Sequence, residues 1–195
     1  MYYIYFNCQG LIKLFILICF FSLFVNTKAF SDKFSDTIEI CQSCHAKEVI
    51  NDNPEVPVIL GQHFYYIYTQ LKDYKSERRT HEIMSEIAKE LDKETMKKLA
   101  TYYSKKQWIN FTSNSEYDPK VAERTIVAGQ CVQCHGDYKG LSGTPRLAGQ
   151  KETYLFQTMK AFNQKIRLNS GSKTSLFSTI TDEEIKSLSV YLSNK

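Results

Sequence analysis

The sequence lacks a strong surplus of charge of either sign. Its formal net charge is +4 over 195 residues. Lys13 and Lys28 supply two of these charges within the first 29 residues, which contain no aspartate or glutamate, so the rest of the chain carries only +2. A surplus this small does not favour nucleic acid as a partner.

The sequence also lacks an apolar run as long as a membrane helix requires. The almost unbroken apolar run from Leu14 to Val25 follows Lys13 and is shorter than the about 20 residues that span a bilayer. Thr27 and Ala29 then place small residues at the spacing typical of a signal-peptide cleavage site. We therefore predict that residues 1–29 are a signal peptide, cleaved after Ala29, which exports the protein to the periplasm. A retained membrane anchor is the alternative, because a single lysine is a weak positively charged region.

Cysteine is scarce beyond residue 29 and occurs there only in two copies of one motif. Both copies, CQSCH at 41–45 and CVQCH at 131–135, place two cysteines three residues apart and a histidine directly after the second. A redox disulfide uses the same cysteine spacing but does not need the histidine. Zinc would require the adjacent Cys44 and His45 to converge on one small ion, and a fourth ligand would be missing.

Covalent attachment of haem c explains every residue of this motif. Thiols at i and i+3 form thioethers with the two vinyl groups of the haem, and the next histidine binds the iron from the same side. We therefore predict two covalently bound haem c groups. The first is held by Cys41 and Cys44 with His45 as proximal iron ligand, and the second by Cys131 and Cys134 with His135 as proximal iron ligand.

The two motifs belong to a longer internal repeat. Each is followed by the element Pro-x-x-x-Gly-Gln, at 57–62 and 145–150, with an offset of 88 residues. Apolar residues then match at helical spacing over predicted helices at about 62–76 and 150–164. Further along, an offset of 89 pairs Arg78 with Arg167, which places one inserted residue in the second copy. Both arginines are candidate partners of the haem propionates, because guanidinium matches carboxylate geometry.

The repeat predicts an all-α protein made of two tandem domains, each wrapped around one haem. We assign residues 30–104 to domain 1, residues 105–117 to a linker rich in Asn, Ser and Thr, and residues 118–195 to domain 2. Each domain is too small for a strong apolar core of its own, so the haem supplies the missing interior. Trp108 in the linker is expected at the domain interface.

Capping residues predict where several helices begin. The closing helix of each domain should begin near Asp92 and near Thr181-Asp182, which provide good N-caps and acidic groups in the first turn. The helix leading into the second motif should begin at Asp118-Pro119, with aspartate as N-cap and proline as first helical residue. Irregular loops are expected ahead of both closing helices.

Taken together, these motifs resemble those of the dihaem class I cytochromes c of the cytochrome c4 family. The resemblance covers residues 32–195 and rests on CxxCH, Pro-x-x-x-Gly-Gln, a tyrosine-rich helix, an arginine loop and the Thr-Asp-Glu-Glu start of the last helix. It implies two class I cytochrome c domains whose haems lie close together. Such a protein carries electrons in the periplasm between partners such as a quinol-oxidising complex and a haem-copper terminal oxidase. Peripheral membrane association is consistent with that role.

The resemblance also implies the remaining groups around each haem. The carbonyls of Pro57 and Pro145 are expected to accept hydrogen bonds from the two proximal histidines and to orient their rings. An axial methionine is expected ahead of each closing helix. Met84 occupies that position in the first copy, with His81 as the alternative ligand. A thioether opposite His45 would raise the reduction potential.

The second copy has no methionine at the matching position, which is held by Lys173. Three outcomes stay open there. Lys173 binds the iron through its neutral amine, or the iron is five-coordinate or water-bound, or Met159 moves across to it. Loss of the thioether should lower the potential of the second haem, so that electrons tend to pass from the second haem to the first.

The sequence therefore predicts an electron carrier rather than an enzyme. The alternative is a haem enzyme or a small-gas-binding protein that works at an open or lysine-ligated iron in domain 2. An enzyme of this kind needs an acid or base close to the iron. His135 is taken up as a ligand, and the second copy has no other histidine.

Overall fold

The structure, a computed structural model, describes residues 33–195. The predicted signal peptide at residues 1–29 lies outside the described residues. The backbone divides after Gln42 into two units. In the first unit residues 33–42 are described, and they are helical. The second unit, residues 43–195, contains both copies of the repeat except the start of the first motif.

Helices provide the regular structure of the described residues. Within residues 33–195 no strand is formed, and an isolated bridge joins Leu141 to Thr144. None of the helices in this range is long and apolar enough to cross a membrane. The all-α prediction is confirmed. The helices are α1 (residues 33–45), α2 (Phe64–Lys75), α3 (Glu82–Lys89), α4 (Lys93–Ser104), α5 (Pro119–Ala128), α6 (Val132–His135), α7 (Glu152–Asn163), α8 (Gly171–Phe177) and α9 (Asp182–Ser193).

The predicted capping residues begin the expected helices. The Asp92 side chain accepts a hydrogen bond from the Thr95 amide at 2.7 Å at the start of α4. Thr181 begins α9 with a capping box, in which its hydroxyl and the Glu184 carboxylate satisfy each other's backbone amides. Asp118 caps α5, and a proline follows as its first residue. These local signals are readable from sequence because each needs only three or four consecutive residues.

The core follows the sequence repeat. We call residues 43–104 the first half and residues 118–195 the second half. Helices α2 and α4 pack together in the first half, as α7 and α9 do in the second. The residues expected at matching core positions are buried in both halves: Ile67 with Leu155, Leu71 with Met159, Tyr74 with Phe162, Leu91 with Ile180, and Leu99 with Leu188. Met159 therefore packs in the core, as does Met96 on α4.

The segments ahead of the closing helices differ from the predicted loops. Each contains a short helix, α3 in the first half and α8 in the second. The ring of His81 begins α3 by accepting hydrogen bonds from the amides of Ile83 and Met84. Histidine is not a preferred N-cap, so this start had no clear sequence signal. Met84 and Lys173 each stand third in their helix, which keeps them in equivalent places.

The segment predicted as a linker, residues 105–117, packs against the Gly-Gln pairs of both halves. Gly61 has φ of +73°, and a Cβ there would lie 2.7 Å from the Trp108 amide nitrogen. Gly149 has φ of +68°, and a Cβ there would collide with the side chain of Asn110. Only glycine fits these two left-handed positions without strain. The Trp108 ring lies 4.9 Å from the guanidinium of Arg146, so it contacts the second half as well.

Candidate haem sites

The first candidate site is built around His45 at the end of α1. The imidazole is only 7% exposed, and its Nδ1 donates to the carbonyl of Pro57 at 3.0 Å. Burial lowers the pKa of His45, the bond to Pro57 raises it, and the charge of Lys151 lowers it further. The proline carbonyl therefore holds the ring through Nδ1, and Nε2 is the nitrogen left to bind iron.

The second candidate site repeats this arrangement in a more open setting. His135 ends α6, is half-buried, and its Nδ1 lies 3.4 Å from the carbonyl of Pro145. Burial lowers the pKa of His135, the charge of Lys173 lowers it further, and the bond to Pro145 raises it. Both histidines predicted as proximal ligands thus face the proline carbonyl expected from the sequence, and the first is held more closely.

In each motif the first cysteine precedes the histidine by four residues, and the second directly precedes it. Cys44 and Cys134 are exposed, whereas Cys41 and Cys131 are half-buried. Burial raises the pKa of the Cys131 thiol, against a smaller opposing effect of a backbone hydrogen bond. The side chain of Cys131 packs against the apolar core of the second half. Two thiols one turn apart, followed by a histidine held through Nδ1, fit the donor set that covalent haem attachment requires.

Met84 lies half-buried on α3 in the first half. Its backbone amide donates to Nδ1 of His81 at 3.4 Å, and the Ile83 amide donates to the same nitrogen at 3.3 Å. His81 is exposed, and its ring serves as the cap of α3. This use of the imidazole favours Met84 over His81 as the distal donor.

Lys173 lies half-buried on α8. Burial lowers the pKa of Lys173, the charge of Arg167 lowers it further, and Cys134 raises it. The charge of Lys173 in turn acts on His135. The charge of Lys173 therefore acts on Cys134 and His135, from which the sequence separates it by about 40 residues.

Two glutamines cross between the halves and join each histidine site to the opposite Pro-x-x-x-Gly-Gln element. Gln150 accepts from the Val58 amide at 2.9 Å and donates to the Val58 carbonyl at 3.0 Å. Gln62 accepts from the Arg146 amide at 2.9 Å and donates to the Arg146 carbonyl at 3.1 Å. Both amide side chains are buried.

In each half, one peptide group lies between the histidine and the glutamine of the other half. The carbonyl of Pro57 and the amide of Val58 belong to one peptide unit, which accepts from His45 on one side and donates to Gln150 on the other. The unit between Pro145 and Arg146 is used in the same way. His45 and His135 are therefore each connected through one peptide group to a glutamine of the other half.

The residues after these glutamines also cross between the halves. Nε2 of His63 donates to the carbonyl of Lys139 at 2.8 Å. Nζ of Lys151 donates to the carbonyls of Ile50 and Asn53, the latter at 2.6 Å. Burial lowers the pKa of Lys151 to about 8. Both contacts end in the segment that follows a CxxCH motif of the opposite half.

A pair of arginines meets at the same interface, and one of them differs from the prediction. Arg78 is exposed and forms an ion pair with Asp73 at 2.6 Å. Arg79 instead donates to Gln70 at 2.8 Å, and Arg167 donates to the same oxygen at 2.9 Å. Each guanidinium stacks 4.6 Å from an aromatic ring at matching positions, Tyr74 and Phe162. Arg79 and Arg167 are therefore the equivalent pair, at an offset of 88 residues, and the residue inserted in the second half comes after Arg167. Extending the offset of 88 from the Gly-Gln pairs as far as Arg79 would have identified this pair.

Tyr154 lies beside these two guanidinium groups. Arg79 donates to its hydroxyl at 3.2 Å. Burial alone would raise the pKa of Tyr154, but the charges of Arg79 and Arg167 outweigh it and lower the pKa to about 7. This concentration of positive charge suits carboxylates such as haem propionates.

The chain is similar to known dihaem cytochromes over most of its length. No family model matches it. The cytochrome c4 of Thiocapsa roseopersicina is 30% identical over 169 residues, which cover 78% of this chain and 85% of that protein. The thiosulfate dehydrogenase electron acceptor of Stutzerimonas stutzeri is 27% identical over 168 residues, which cover 79% of this chain and 78% of that protein.

A solved structure supports the same assignment. The cytochrome c4 of Acidithiobacillus ferrooxidans has a TM-score of 0.69 at 27% sequence identity, and the match covers 80% of this chain and 98% of that one. The agreement in fold accompanies two CxxCH motifs and two histidines held by proline carbonyls. The chain therefore belongs to the cytochrome c4 family, and it is an electron-transfer cytochrome with two covalently bound haem c groups.

Proposed function

We propose that this protein is an exported, periplasmic carrier that passes single electrons from a quinol-oxidising complex towards a haem-copper terminal oxidase. The observation that carries the proposal is the reciprocal hydrogen bonding of Gln62 and Gln150. Each glutamine binds a peptide group beside the histidine of the opposite half, so both histidines belong to one unit, residues 43–195. A carrier that holds two redox centres in one compact unit can accept an electron at one and release it at the other. We propose residues 30–104 and 118–195 as its two domains, joined by 105–117.

The CxxCH motifs are the proposed points of attachment. Cys41 and Cys44 would form the thioethers of the first haem c, with His45 on its iron. Cys131 and Cys134 would form those of the second, with His135 on its iron. The bound haems supply one-electron chemistry at iron. The chain contributes by fixing both imidazole rings through the carbonyls of Pro57 and Pro145.

The distal side differs between the halves. Met84 is the proposed distal ligand of the first haem, because the ring of its competitor His81 caps α3. Lys173 is the proposed distal residue of the second haem, because it stands third in α8 as Met84 does in α3, and because its charge acts on His135 and Cys134. A thioether favours ferrous iron more than an amine does, so the first haem would have the higher potential.

Arg79 and Arg167 are the proposed partners of the haem propionates. Both are partly or largely buried, and both donate to Gln70 at the junction of the halves. Two guanidinium groups this close repel each other unless carboxylates neutralise them. Propionates would supply that negative charge.

A carrier explains the site better than an enzyme or a gas-binding protein. The second half offers no histidine besides His135 that could act as acid or base. Lys173 is also the proposed residue at the distal position, where a small ligand would have to bind. The name of the Stutzerimonas relative adds a second candidate for the electron donor, a thiosulfate-oxidising enzyme.

The test is a reconstituted electron-transfer assay with the full chain, produced in a host that matures c-type cytochromes. A pyridine haemochrome assay should give two haems per chain. The protein should then be reduced by a quinol-oxidising complex and reoxidised by a haem-copper oxidase, and each step is followed by visible absorption. Reduction only by a thiosulfate dehydrogenase would replace the proposed donor. Turnover of a substrate by the isolated protein would contradict the carrier assignment.

A further inference from the structure

The two residues that follow the Gly-Gln pairs make matching contacts with different chemistry. His63 and Lys151 are 88 residues apart, the offset of the repeat. Each reaches a backbone carbonyl in the segment after the opposite CxxCH motif. The segment of the second half thus receives an imidazole from His63, whereas the segment of the first half receives an ammonium from Lys151. The two matching contacts therefore differ by one positive charge, that of the Lys151 ammonium group.

The environment of Lys151 is that of a buried ammonium ion. Lys151 is 5% exposed. Its Nζ donates to the carbonyls of Ile50 and Asn53 and lies 5.2 Å from the ring centre of Phe111. All of these partners accept hydrogen bonds or attract cations, as a protonated amine requires. None of them is a carboxylate, so none of them neutralises the charge.

This charge lies close to the first proximal histidine. The amide of Ile50 donates to the carbonyl of Ala46, the residue after His45, at 2.9 Å. The preceding residue, Gln150, binds the peptide group whose carbonyl accepts from His45. Two consecutive residues of the second half, Gln150 and Lys151, therefore bind backbone groups in the surroundings of His45. In agreement, the charge of Lys151 contributes to the lowered pKa of His45, after the larger effect of burial.

A buried positive charge has a predictable effect on a neighbouring redox centre. When a redox partner donates one electron, ferric iron becomes ferrous, and the net charge of the His45 site falls by one. An adjacent ammonium repels the more positive, oxidised state and so favours the reduced one. The interaction is strong because burial reduces screening by water and salt.

We propose that Lys151 tunes the first haem, raising its reduction potential from across the interface and so directing electrons from the second haem to the first. The inference rests on the proposed assignment of His45 as a ligand of the first haem. His63, at the matching position, provides the same kind of hydrogen bond to the second half without an ammonium group. The charge difference therefore adds to the difference in distal residues between the halves.

The test is a redox titration of the full-length holoprotein carrying Lys151→Met. EPR of the oxidised protein assigns each potential to a haem, because a thioether and other sixth ligands give different g values. We expect the equilibrium constant for reduction of the first haem to fall about tenfold, which for one electron corresponds to about 59 mV. The potential of the second haem should change much less.

Three matched variants separate charge from packing. Lys151→Arg keeps the charge, so the potential of the first haem should stay near that of the native protein. Lys151→Gln keeps a hydrogen-bond donor for the carbonyls but removes the charge, so it should lower the potential as Lys151→Met does. Lys151→Gln also provides the same test if Lys151→Met does not assemble. His63→Gln changes the matching contact and should leave the first haem unaltered.

The outcomes also distinguish this inference from the proposed function. Unchanged potentials in both uncharged variants, with native spectra and two haems bound, would overturn the tuning role and leave the electron carrier intact. An equal fall at both haems would overturn it too, because the effect would not be local to His45. A native protein without two redox-active haems would instead contradict the carrier.

Discussion

The two halves of this cytochrome have matching helices and matching proximal groups, and they differ on the distal side and at the interface. His45 is buried with a 3.0 Å bond to its proline, whereas His135 is half-buried with a 3.4 Å bond. Met84 in the first half is replaced by Lys173 in the second. Burial of His45 and the proposed thioether of Met84 each favour a higher potential at the first haem, whereas the shorter proline bond makes the His45 imidazole a stronger electron donor and opposes them. A duplicated fold can thus give one chain two unequal redox centres by changing a few side chains.

The largest expected effect comes from removing the proposed thioether. Met84→Leu should lower the potential of the first haem by an amount on the order of 100 mV, within the about 0.8 V that axial ligands span. The methionine-to-iron charge-transfer band should disappear at the same time. Redox titration and absorption spectroscopy measure both changes. Met96→Leu is the matched control, because Met96 is 2% exposed on α4 and its loss should alter neither.

The reverse change in the second half should give a smaller effect of opposite sign. Lys173→Met should raise the potential of the second haem by tens of mV, on the order of what a changed axial ligand produces, and create a second charge-transfer band. The rise is smaller because the new side chain must adopt a rotamer that reaches the iron from α8. Met159→Leu should change nothing, because Met159 packs in the core. Two such bands in the native protein would show that Lys173 does not hold the distal position.

The interface glutamines should contribute unequally to stability. Gln150→Leu leaves the amide of Val58, a residue only 1% exposed, without an acceptor and should reduce the free energy of unfolding by about 1–3 kcal/mol. Gln62→Leu should cost less, because Arg146 is half-buried and water can replace part of the lost bonding. Denaturant unfolding of the holoproteins measures the difference. Gln157→Leu removes an exposed bond to Glu55 and serves as the control, and a larger cost for Gln62→Leu would refute this ranking.

The smallest effects are expected at the caps of the closing helices. Asp92→Ala and Thr181→Ala should each destabilise the protein by about 1 kcal/mol. The second should cost slightly more, because it also breaks the reciprocal bond with Glu184. Thermal unfolding compares the two variants. Asp92→Asn and Thr181→Ser keep an acceptor for the amide and should recover most of the loss, which would not happen if the side chains acted through packing.

Local features of the fold could be predicted from sequence, and contacts across the interface could not. The starts of α4, α5 and α9 depend on neighbouring residues and were predicted from Asp92, Asp118 and Thr181. Helices α3 and α8 were expected as loops, because α3 begins at a histidine cap, which has no strong sequence signal, and the seven-residue α8 begins at Ser170 without a side-chain cap bond. The sequence paired Arg167 with Arg78, whereas the structure pairs it with the next residue, Arg79. A single inserted residue is hard to place where few residues of the two copies are alike.

The sequence by itself determined the chemistry of this protein. Two CxxCH motifs specify two covalent haems, since thioether bonds and an iron ligand need only five consecutive residues in a helical turn. The tertiary structure alone decided which groups surround each centre. Gln150 meets Val58 across 92 residues, and Lys151 meets Ile50 across 101. Such contacts depend on how two helical halves pack against each other, and no local pattern encodes that geometry.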